Sequence, residues 1–336
     1  MSTPATDTTR AASPAAHATP AWPRISVVGA GGVGCYFGGM LALAGAPVVF
    51  VARPNHGEAM RTRGLVIEHA DRTDTIVVNA SDDVAIAAGS SLVLLCTKTT
   101  SVVETAQSLV PHLAPNATVL CLQNGVDSAE RVRAATGLDA LPVVVYIAAE
   151  MVGDGQVRKG GRGALITGEP DAAAARPHAL PLDELATLFN GAGIPLTVSA
   201  NIRGDLWQKM VANCTYNAIS AIARVRYGRI HANPHSAAIV RPLADECIAI
   251  ARALGVTLPD VDLHAFGRTL TQVHAPEAYS STAQDLMRGR RTEIDSLNGY
   301  IVRKGAAHGV PVPLNQALHA LVKLQEEATA VPPSHP

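Results

Sequence analysis

The stretch "VVGAGGVGCYFGG", residues 27–39, decides the fold, because Gly29, Gly31 and Gly34 stand at G-x-G-x-x-G spacing directly after the apolar run "RISVV". In a strand-to-helix turn, the first glycine permits the bend, the second lets the backbone approach a pyrophosphate and the third allows close packing. The N-terminus of the following helix attracts negative charge. The stretch therefore predicts a dinucleotide site at these glycines and Gly32, with a purely structural bend as the alternative.

The pattern around this stretch predicts an open parallel sheet. Short β-branched runs alternate with Ala-rich helical stretches between residue 24 and about residue 199, the runs being "ISVV", "PVVFVA", "LVLLC", "TVLCL" and "PVVVYI". Such alternation is typical of a doubly wound sheet with helices on both faces. The segment "LVIEHADRTDTIVV" predicts two strands joined by a polar turn, and "PLTVS" predicts the last strand.

From Asn201 onward the hydrophobic spacing is helical, with Gly and Pro as punctuation. The predicted fold class is α/β: a Rossmann-type, dinucleotide-binding domain at residues 24–200, then an all-helical substrate and catalytic domain at residues 201–328. Residues 1–23 and 329–336 are predicted to be tails. The first is rich in Ala, Thr, Ser and Pro and has no apolar stretch of the length that a secretory signal needs, so a disordered tail is expected there.

Composition favours a small-molecule partner. Hydrophobic residues make up 48% of the chain, charged residues 16% and aromatic residues 4%, with a net charge of −1, so no nucleic-acid partner is expected. The five cysteines form no CxxC pair, which indicates a reducing compartment. No apolar run approaches the roughly 20 residues of a membrane span. We therefore expect a cytoplasmic protein without a membrane partner; no metal site is assigned, and a homodimer is left open.

The end of the second strand favours NADP over NAD. NAD-selective sites place an acidic residue there, about 20 residues after the glycines, to bind the ribose hydroxyls. This chain reads "VVFVARPNHGE", in which the first acid is Glu58 and Arg53 stands at the strand end. A guanidinium binds a 2′-phosphate through paired hydrogen bonds. The alternative is a solvated arginine at a strand terminus.

Two further strand ends deliver polar residues to the same sheet edge, where ligands of open α/β sheets bind. The run "LVLLCTK" ends in Thr97 and Lys98, and "TVLCLQNG" ends in Gln123, Asn124 and Gly125. Either set could be ordinary turn chemistry, since Asn-Gly is a favoured turn dipeptide. Because both sets lie beside one cofactor site, a functional role is favoured over ordinary turn chemistry.

The helical region carries candidates for the chemistry. Lys209, Asn213 and Asn217 are spaced i, i+4, i+8, so they form one stripe on a helix face. The functional interpretation is a donor row facing a polar substrate, with Lys209 as the proton source; the alternative is a hydrogen-bonded contact between helices. Ser281, Asp285 and Glu293 form a second cluster if one helix runs through Gly289, and Ser280 or Ser281 could be a helix N-cap.

Together, the motifs "GAGGVGCYFGG", "ARP", "CTK", "LQNG", "LWQKMVANCTYN" and "SSTAQDLMRGRRTEIDSLNG" resemble the ketopantoate reductase (2-dehydropantoate 2-reductase) family over residues 24–309. The resemblance implies a Rossmann domain, an all-helical domain and an active site in the cleft between them. It also implies NADPH-dependent reduction of a 2-keto acid, with ketopantoate, a precursor in pantothenate biosynthesis, as the substrate. By motif, Lys209 matches the general acid and Glu293 a carboxylate that helps to hold substrate, while Asn213, Asn217 and Ser281 match substrate contacts.

The same resemblance assigns Asn124 to the neighbourhood of nicotinamide and substrate, and Lys98 and Arg53 to the cofactor. The chain departs from the family pattern at Ala278 and Tyr227, where many members carry asparagines that recognise substrate. Another 2-keto acid is therefore an alternative substrate. Two other classes stay open: an NADP-binding sensor without turnover, and a dehydrogenase of the 3-hydroxyacid or opine type.

Overall fold

The computed structural model describes residues 21–170 and 178–330. Most of the two predicted tails, residues 1–20 and 331–336, lies outside the described residues. Trp22, which the prediction assigned to the first tail, packs against the core of the sheet. The N-terminal core therefore begins slightly earlier than the sequence pattern indicates.

The sheet strands precede the helix bundle in the chain. The strands among the described residues are β1 (Ile25–Val28), β2 (Val48–Val51), β3 (Leu65–Glu68), β4 (Thr73–Ile76), β5 (Asn79–Ser81), β6 (Leu92–Leu95), β7 (Thr118–Cys121), β8 (Asp139–Gly153), β9 (Gln156–Thr167) and β10 (Leu196–Val198).

The helices between the strands cover the sheet, and those after β10 form the second region. They are α1 (Gly32–Leu43), α2 (Pro54–Thr62), α3 (Val102–Leu109), α4 (Ser128–Thr136), α5 (Leu182–Gly191), α6 (Ile202–Ala223), α7 (Tyr227–Ala232), α8 (Pro234–Ala253), α9 (Leu263–Arg268), α10 (Ser281–Met287), α11 (Asn298–His308) and α12 (Pro313–Ala330). Short 3-10 turns lie at Val84–Ala87 and Ile294–Ser296, and a π-helical turn at Thr269–His274.

The sheet is mostly parallel, as predicted. In the described residues its order is β4-β3-β9-β8-β7-β6-β1-β2-β5, with β10 beside β9. Only the β3–β4 and β8–β9 pairs are antiparallel there. The carboxyl ends of β1, β2, β6 and β7 consequently meet at one edge, on either side of the point where the chain order reverses.

Two apolar clusters cover the two faces of the sheet. Phe37 of α1 and Phe189 of α5 belong to one, and Leu109 of α3 and Val132 of α4 belong to the other. Strands buried on both faces need continuous apolar runs, which explains why β1, β6 and β7 are fully buried.

Helix α6 joins the helical region to the sheet. Its first turn packs Ile202 and Leu206 against Val144 of β8. Farther along, Trp207 and Cys214 belong to the core of the helical region. This double packing fixes the face of α6 that carries Lys209 beside β8.

Two local features differ from the sequence predictions, and a third observation decides between the two arrangements that the sequence leaves open at Gly289. The run "PVVVYI" is only the middle of β8, whose antiparallel pairing with β9 extends through helix-forming residues to Gly153. The three-residue strand β5 was not predicted. The segment from Ser281 to Glu293 is not one helix, because α10 ends at Met287 and Gly289 adopts a φ of 62°.

Candidate active site

Within the glycine motif, only Gly31 has room beside it for a side-chain atom. Gly29 has a φ of 97°, and a Cβ there would lie 2.7 Å from the backbone nitrogen of Thr97. A Cβ at Gly34 would overlap the carbonyl oxygen of Gly29, whereas a Cβ at Gly31 would meet nothing within 4 Å. The first and third glycines are therefore required by the protein's own packing. Gly31 faces free space, as the predicted pyrophosphate contact requires.

The start of α1 is suited to an anion. No side chain caps this N-terminus, so its backbone N–H groups are available to a ligand. A Cβ at Gly32 would overlap the carbonyl oxygen of Ala149 on β8. Gly32 therefore lets the long β8 strand lie directly against the loop and form a wall of the site.

The loop opens into a cleft of about 1240 Å³ between the sheet edge and the helical region. Its walls come from the ends of β1, β2, β6 and β7, the outer half of β8 and the segment that includes α10 and Glu293. The predicted site residues that line it are Gly29, Gly31, Gly32, Arg53, Lys98, Asn124, Ser281 and Glu293.

At one end of the cleft, Arg53 is exposed beyond β2, at the N-cap of α2. The sequence analysis found no carboxylate at this strand end. However, Asp82 follows the neighbouring strand β5, is exposed and lines the same cleft. The backbone N–H of Ala52 donates to the carbonyl of Ser81 (2.8 Å), which brings the two strand ends together. A strand as short as β5 gives too weak a pattern to predict this acid.

At the other end, one hydrogen-bonded network joins three predicted residues. The Lys209 ammonium donates to Oδ1 of Asn124 (3.0 Å) and to the carbonyl oxygen of Val145 (2.6 Å). Asn124 donates through Nδ2 to Oε2 of Glu293 (3.2 Å), and Oε1 accepts from the backbone N–H of Thr99 (2.9 Å). Asn124 thus orients both the cation and the carboxylate. No sequence signal could reveal Val145, which acts through its backbone.

Burial makes Lys209 a better acid. Burial lowers the pKa of Lys209 to about 8, while the negative charge of Glu293 acts in the opposite direction. The ammonium lies 5.9 Å from the centre of the Tyr146 ring. A cation with this pKa gives up a proton near neutral pH far more readily than a solvated lysine does.

Lys98 lines the cleft, and its side chain forms hydrogen bonds with the helical region on the opposite side. Its ammonium contacts Oδ2 of Asp285 and the carbonyl oxygen of Arg291, each at 2.7 Å. Burial raises the pKa of Asp285, and the charge of Lys98 opposes that rise. Lys98 therefore connects the sheet edge to the helical region, and its contact with the cofactor stays a prediction.

Of the remaining residues predicted to contact substrate, one lines the cleft and two do not. Ser281 is exposed in the cleft, and its neighbour Ser280 is the N-cap of α10, with Oγ accepting from the N–H of Ala283. Asn213 is half-buried and Asn217 is 3% exposed; neither of them is among the residues lining the cleft, and Lys209 is not among them either. The structure thus brings Lys209, Asn124 and Glu293 together and keeps Asn217 apart.

The two departures from the family pattern are neighbours. The Tyr227 hydroxyl donates to Oδ1 of Asn217 (2.8 Å), and the Tyr227 backbone N–H donates to the carbonyl of Ala278 (3.0 Å). Burial raises the pKa of the Tyr227 phenol, which keeps it a neutral donor. The Tyr227 hydroxyl therefore binds the side-chain oxygen of Asn217, a residue that the sequence predicts to contact substrate.

Among the helices of residues 21–170 and 178–330, none combines the length and apolar character that crossing a bilayer demands.

Comparison with known proteins gives one consistent result. Two family models match: Ketopantoate reductase PanE/ApbA at residues 25–172, and Ketopantoate reductase PanE/ApbA C terminal at residues 201–326. The 2-dehydropantoate 2-reductase of Pyrococcus horikoshii is 32% identical over 306 residues, which are 90% of this chain and 97% of that protein.

Solved structures share the fold. A PanE/ApbA family ketopantoate reductase from Ralstonia eutropha matches with a TM-score of 0.85 and 44% identity, over 91% of this chain and 99% of that one. A D-mandelate dehydrogenase with NADH and anilino(oxo)acetate matches with a TM-score of 0.81 and 24% identity, over 92% of this chain and 99% of that one. At that identity, the second likeness concerns the fold alone.

Proposed function

The chain belongs to the ketopantoate reductase family, and from this premise we propose that it reduces 2-dehydropantoate (ketopantoate) to pantoate with NADPH. It is an oxidoreductase that uses a nicotinamide cofactor. The observation that supports the proposal most directly is the Lys209–Asn124–Glu293 network, because it holds a half-buried cation close to a carboxylate beside the cleft in which a carbonyl group can be reduced.

The residues of the cleft fit a dinucleotide. The open space at Gly31 and the uncapped start of α1 suit the pyrophosphate, and Arg53 suits a phosphate at the adenosine end. Asn124 and Glu293 lie at the opposite end, where the nicotinamide would be held. When bound, the nicotinamide supplies the hydride that reduces the carbonyl carbon.

Lys209 completes the reduction by protonating the former carbonyl oxygen. Negative charge develops on that oxygen in the transition state, so a buried ammonium beside it stabilises the transition state more than the ground state. The proton passes from Nζ to the oxygen, and solvent restores it afterwards. General acid catalysis of this kind contributes about 10²–10⁴-fold to the rate.

Asn124 and Glu293 orient this acid. Asn124 accepts from Lys209 and donates to Glu293, so it holds the two opposite charges in one arrangement. Glu293 keeps the pKa of Lys209 from falling further and offers an acceptor to a substrate hydroxyl. Ser281, Asn213 and Asn217 are proposed as further substrate contacts; the Oδ1 of Asn217 also accepts from the Tyr227 hydroxyl.

The preference for NADPH rests on Arg53, and Asp82 opposes it. The guanidinium attracts a 2′-phosphate, whereas a nearby carboxylate repels it and favours a 2′-hydroxyl. We propose that the arginine determines the selectivity, because it begins α2 directly at the end of β2. A ratio of kcat/KM for NADPH over NADH that is at or below one contradicts this assignment.

Substrate identity is tested by comparing ketopantoate with 2-ketoisovalerate, which lacks its hydroxymethyl group. A site that matches the hydroxyl loses about 1 to 3 kcal/mol when a buried polar group is left without a partner. We expect kcat/KM, followed by NADPH consumption, to favour ketopantoate strongly. Equal or better reduction of 2-ketoisovalerate identifies a reductase of another 2-keto acid, the second candidate that Ala278 and Tyr227 support.

The sensor alternative has its own test. A sensor binds NADPH without oxidising it, so incubation of the full chain with NADPH and several 2-keto acids separates the two functions. Retention of Lys209 and Glu293 in one network supports turnover. A cytoplasmic location and a homodimer stay predictions.

A further inference from the structure

The segment that carries Glu293 contacts α12, the last helix of the described residues. Glu293 directly precedes the short 3-10 turn Ile294–Ser296. Asn124 and the backbone N–H of Thr99, both from the sheet edge, bind its carboxylate. In addition, side chains of α12 bind the residues on either side of Glu293 in the chain. The position of this carboxylate therefore depends on α12 as well as on the sheet.

Glu326 of α12 binds Thr292, the residue before Glu293. Its Oε1 accepts from the backbone N–H of Thr292 (2.7 Å) and from the Thr292 hydroxyl (2.5 Å). The same hydroxyl oxygen accepts from the backbone N–H of Ile294 (3.1 Å), which begins the 3-10 turn. Thr292 is 2% exposed, so water does not compete strongly for these hydrogen bonds. Through Thr292, one carboxylate oxygen fixes the backbone directly before and after Glu293.

A second contact joins α12 to Asp295, two residues after Glu293. Oδ1 of Asp295 lies 2.8 Å from Nε2 of His319, and Oδ2 accepts from the Lys323 ammonium (2.9 Å). Lys323 also donates to Oε2 of Glu326 (2.8 Å). His319, Lys323 and Glu326 are spaced i, i+4, i+7, so they share one face of α12. Lys323 thus orients Glu326 and links the two contacts.

Both charged residues of this pair stay ionised near neutral pH. Burial raises the pKa of Glu326, but hydrogen bonds from Lys323 and Thr292 outweigh burial, so the pKa lies below its usual value. The hydrogen bond to Glu326 raises the pKa of Lys323. A change of rate around pH 8 therefore does not report the titration of either side chain.

We propose that Glu326 is a positioning residue for the reduction: through Thr292, it keeps the carboxylate of Glu293 in contact with Asn124. This carboxylate in turn acts on the charge of Lys209. The inference rests on the proposed reductase function and adds to its site a residue that is not among those lining the cleft.

A displaced Glu293 has a specific electrostatic consequence. Burial lowers the pKa of Lys209 to about 8, and the charge of Glu293 opposes that change. A greater distance weakens the interaction of the two charges, so the pKa of Lys209 falls further. The falling limb of kcat/KM against pH should then move to lower pH. A residue that only supports the fold lowers the Tm and leaves this limb in place.

Glu326→Ala removes both hydrogen bonds to Thr292. For the full chain with NADPH and ketopantoate, we expect its falling limb to move to lower pH, in the same direction as for Glu293→Gln. At neutral pH, kcat/KM should fall by about 10-fold, since small displacements of catalytic groups cost up to about 10²-fold. Glu327→Ala is the matched control, because Glu327 is the next carboxylate on α12 and is exposed; it should keep the wild-type profile.

Threonine variants separate position from charge. Thr292→Val removes one of the two hydrogen bonds and changes no charge, so a limb that moves in this variant reports a displaced Glu293. Thr292→Ser retains a hydroxyl and should keep the wild-type limb. In a Glu293→Gln background, Glu326→Ala should leave the limb where Glu293→Gln alone places it, because both changes act through one carboxylate.

The outcomes separate the positioning role from the function. A wild-type limb in Glu326→Ala or Thr292→Val overturns the role, as does an equal shift in Glu327→Ala or a further shift in the double variant. If the wild type reduces no 2-keto acid, the function fails separately. An NMR titration of Lys209 Nζ then tests the role without turnover, and a pKa that Glu326→Ala leaves unchanged overturns it. Should Glu326→Ala not fold, Thr292→Val and Thr292→Ser carry the same test.

Discussion

The two ends of the cleft are built from different parts of the chain. The glycine loop is a backbone structure, made by four glycines within six consecutive residues. The catalytic network is a side-chain structure, in which Asn124 and Glu293 lie 169 residues apart in sequence. The first site needs one local turn, and the second needs the complete fold.

This difference also appears in the energetics. Around Gly29 and Gly34 the absence of a side chain is required, because a Cβ would collide with neighbouring backbone. At Lys209 a charge is kept in a buried place, where desolvation lowers its pKa and a carboxylate partly compensates. We propose that the rigid backbone serves cofactor binding and that the electrostatically tuned side chain of Lys209 serves proton transfer.

Removing Lys209 gives the largest expected effect and tests whether the two ends act independently. We expect Lys209→Ala to lower kcat by about 10²–10⁴-fold, because the developing oxyanion loses its proton donor. The Kd for NADPH should stay near that of the wild type. Stopped-flow kinetics and a fluorescence titration measure the two quantities, with Lys304→Ala as the control. A folded Lys209→Ala protein with near-normal kcat makes Lys209 a structural lysine.

The pH dependence of the rate sharpens the same point. With the pKa of Lys209 at about 8 in the free protein, the protonated acid predominates below that pH, so kcat/KM should fall as pH rises through about 8. Glu293→Gln removes the charge that raises this pKa, so the falling limb should move to lower pH. The measurement is kcat/KM against pH for both proteins. A limb that stays in place, or moves upward, contradicts the coupling of Glu293 to Lys209.

The glycine loop could be predicted from the sequence, whereas the network of Lys209, Asn124 and Glu293 could be predicted only in part. The glycine spacing after β1 predicted the turn and the roles that the Cβ distances now support. Lys209 and Glu293 were identified by motif, but their connection through Asn124 depends on how α6 packs on β8. Asp285 of the same region was noted, yet its ion pair with Lys98 spans 187 residues and has no local pattern.

The outer part of β8 and the strand β5, which the sequence pattern does not predict, share one physical cause. The outer part of β8 contains Ala, Glu and Met, which favour helices, and its strand form comes from pairing with β9. The strand β5 has three residues and is specified by its partner β2. In both cases tertiary pairing overrides local preference, so a single sequence does not show it.

A smaller effect is expected for Gly31→Ala in the glycine loop, which tests whether the cofactor occupies the open space beside Gly31. The protein itself has room for the new Cβ, so the Tm should change little, whereas the Kd for NADPH should rise by about 10-fold or more, which is about 1.4 kcal/mol. Gly191→Ala is the matched control, since its Cβ also meets nothing within 4 Å. Unchanged NADPH affinity in Gly31→Ala removes Gly31 from the cofactor site.

The arginine at the adenosine end should matter less than the loop, because Arg53 is exposed and its attraction is screened by salt. We expect Arg53→Ala to lower kcat/KM for NADPH by about 10-fold and to leave NADH almost unchanged. Arg63→Ala, at the exposed C-cap of the same helix, is the control. Equal losses with both cofactors indicate that Arg53 supports the fold or the adenine, and not the 2′-phosphate.

The smallest expected effect concerns Asp82, the acid that the sequence pattern did not reveal. Its exposed carboxylate lines the cleft beside the end of β2, where it repels a 2′-phosphate and can accept a hydrogen bond from a 2′-hydroxyl. Asp82→Asn should therefore raise kcat/KM for NADPH by about 2-fold and lower it for NADH by a similar factor, the range of an exposed charge. Asp260→Asn, exposed and outside the cleft, should change neither value. Opposite movements of the two cofactors assign selectivity to a balance between Arg53 and Asp82, whereas a loss with NADPH means that Asp82 supports the site in another way.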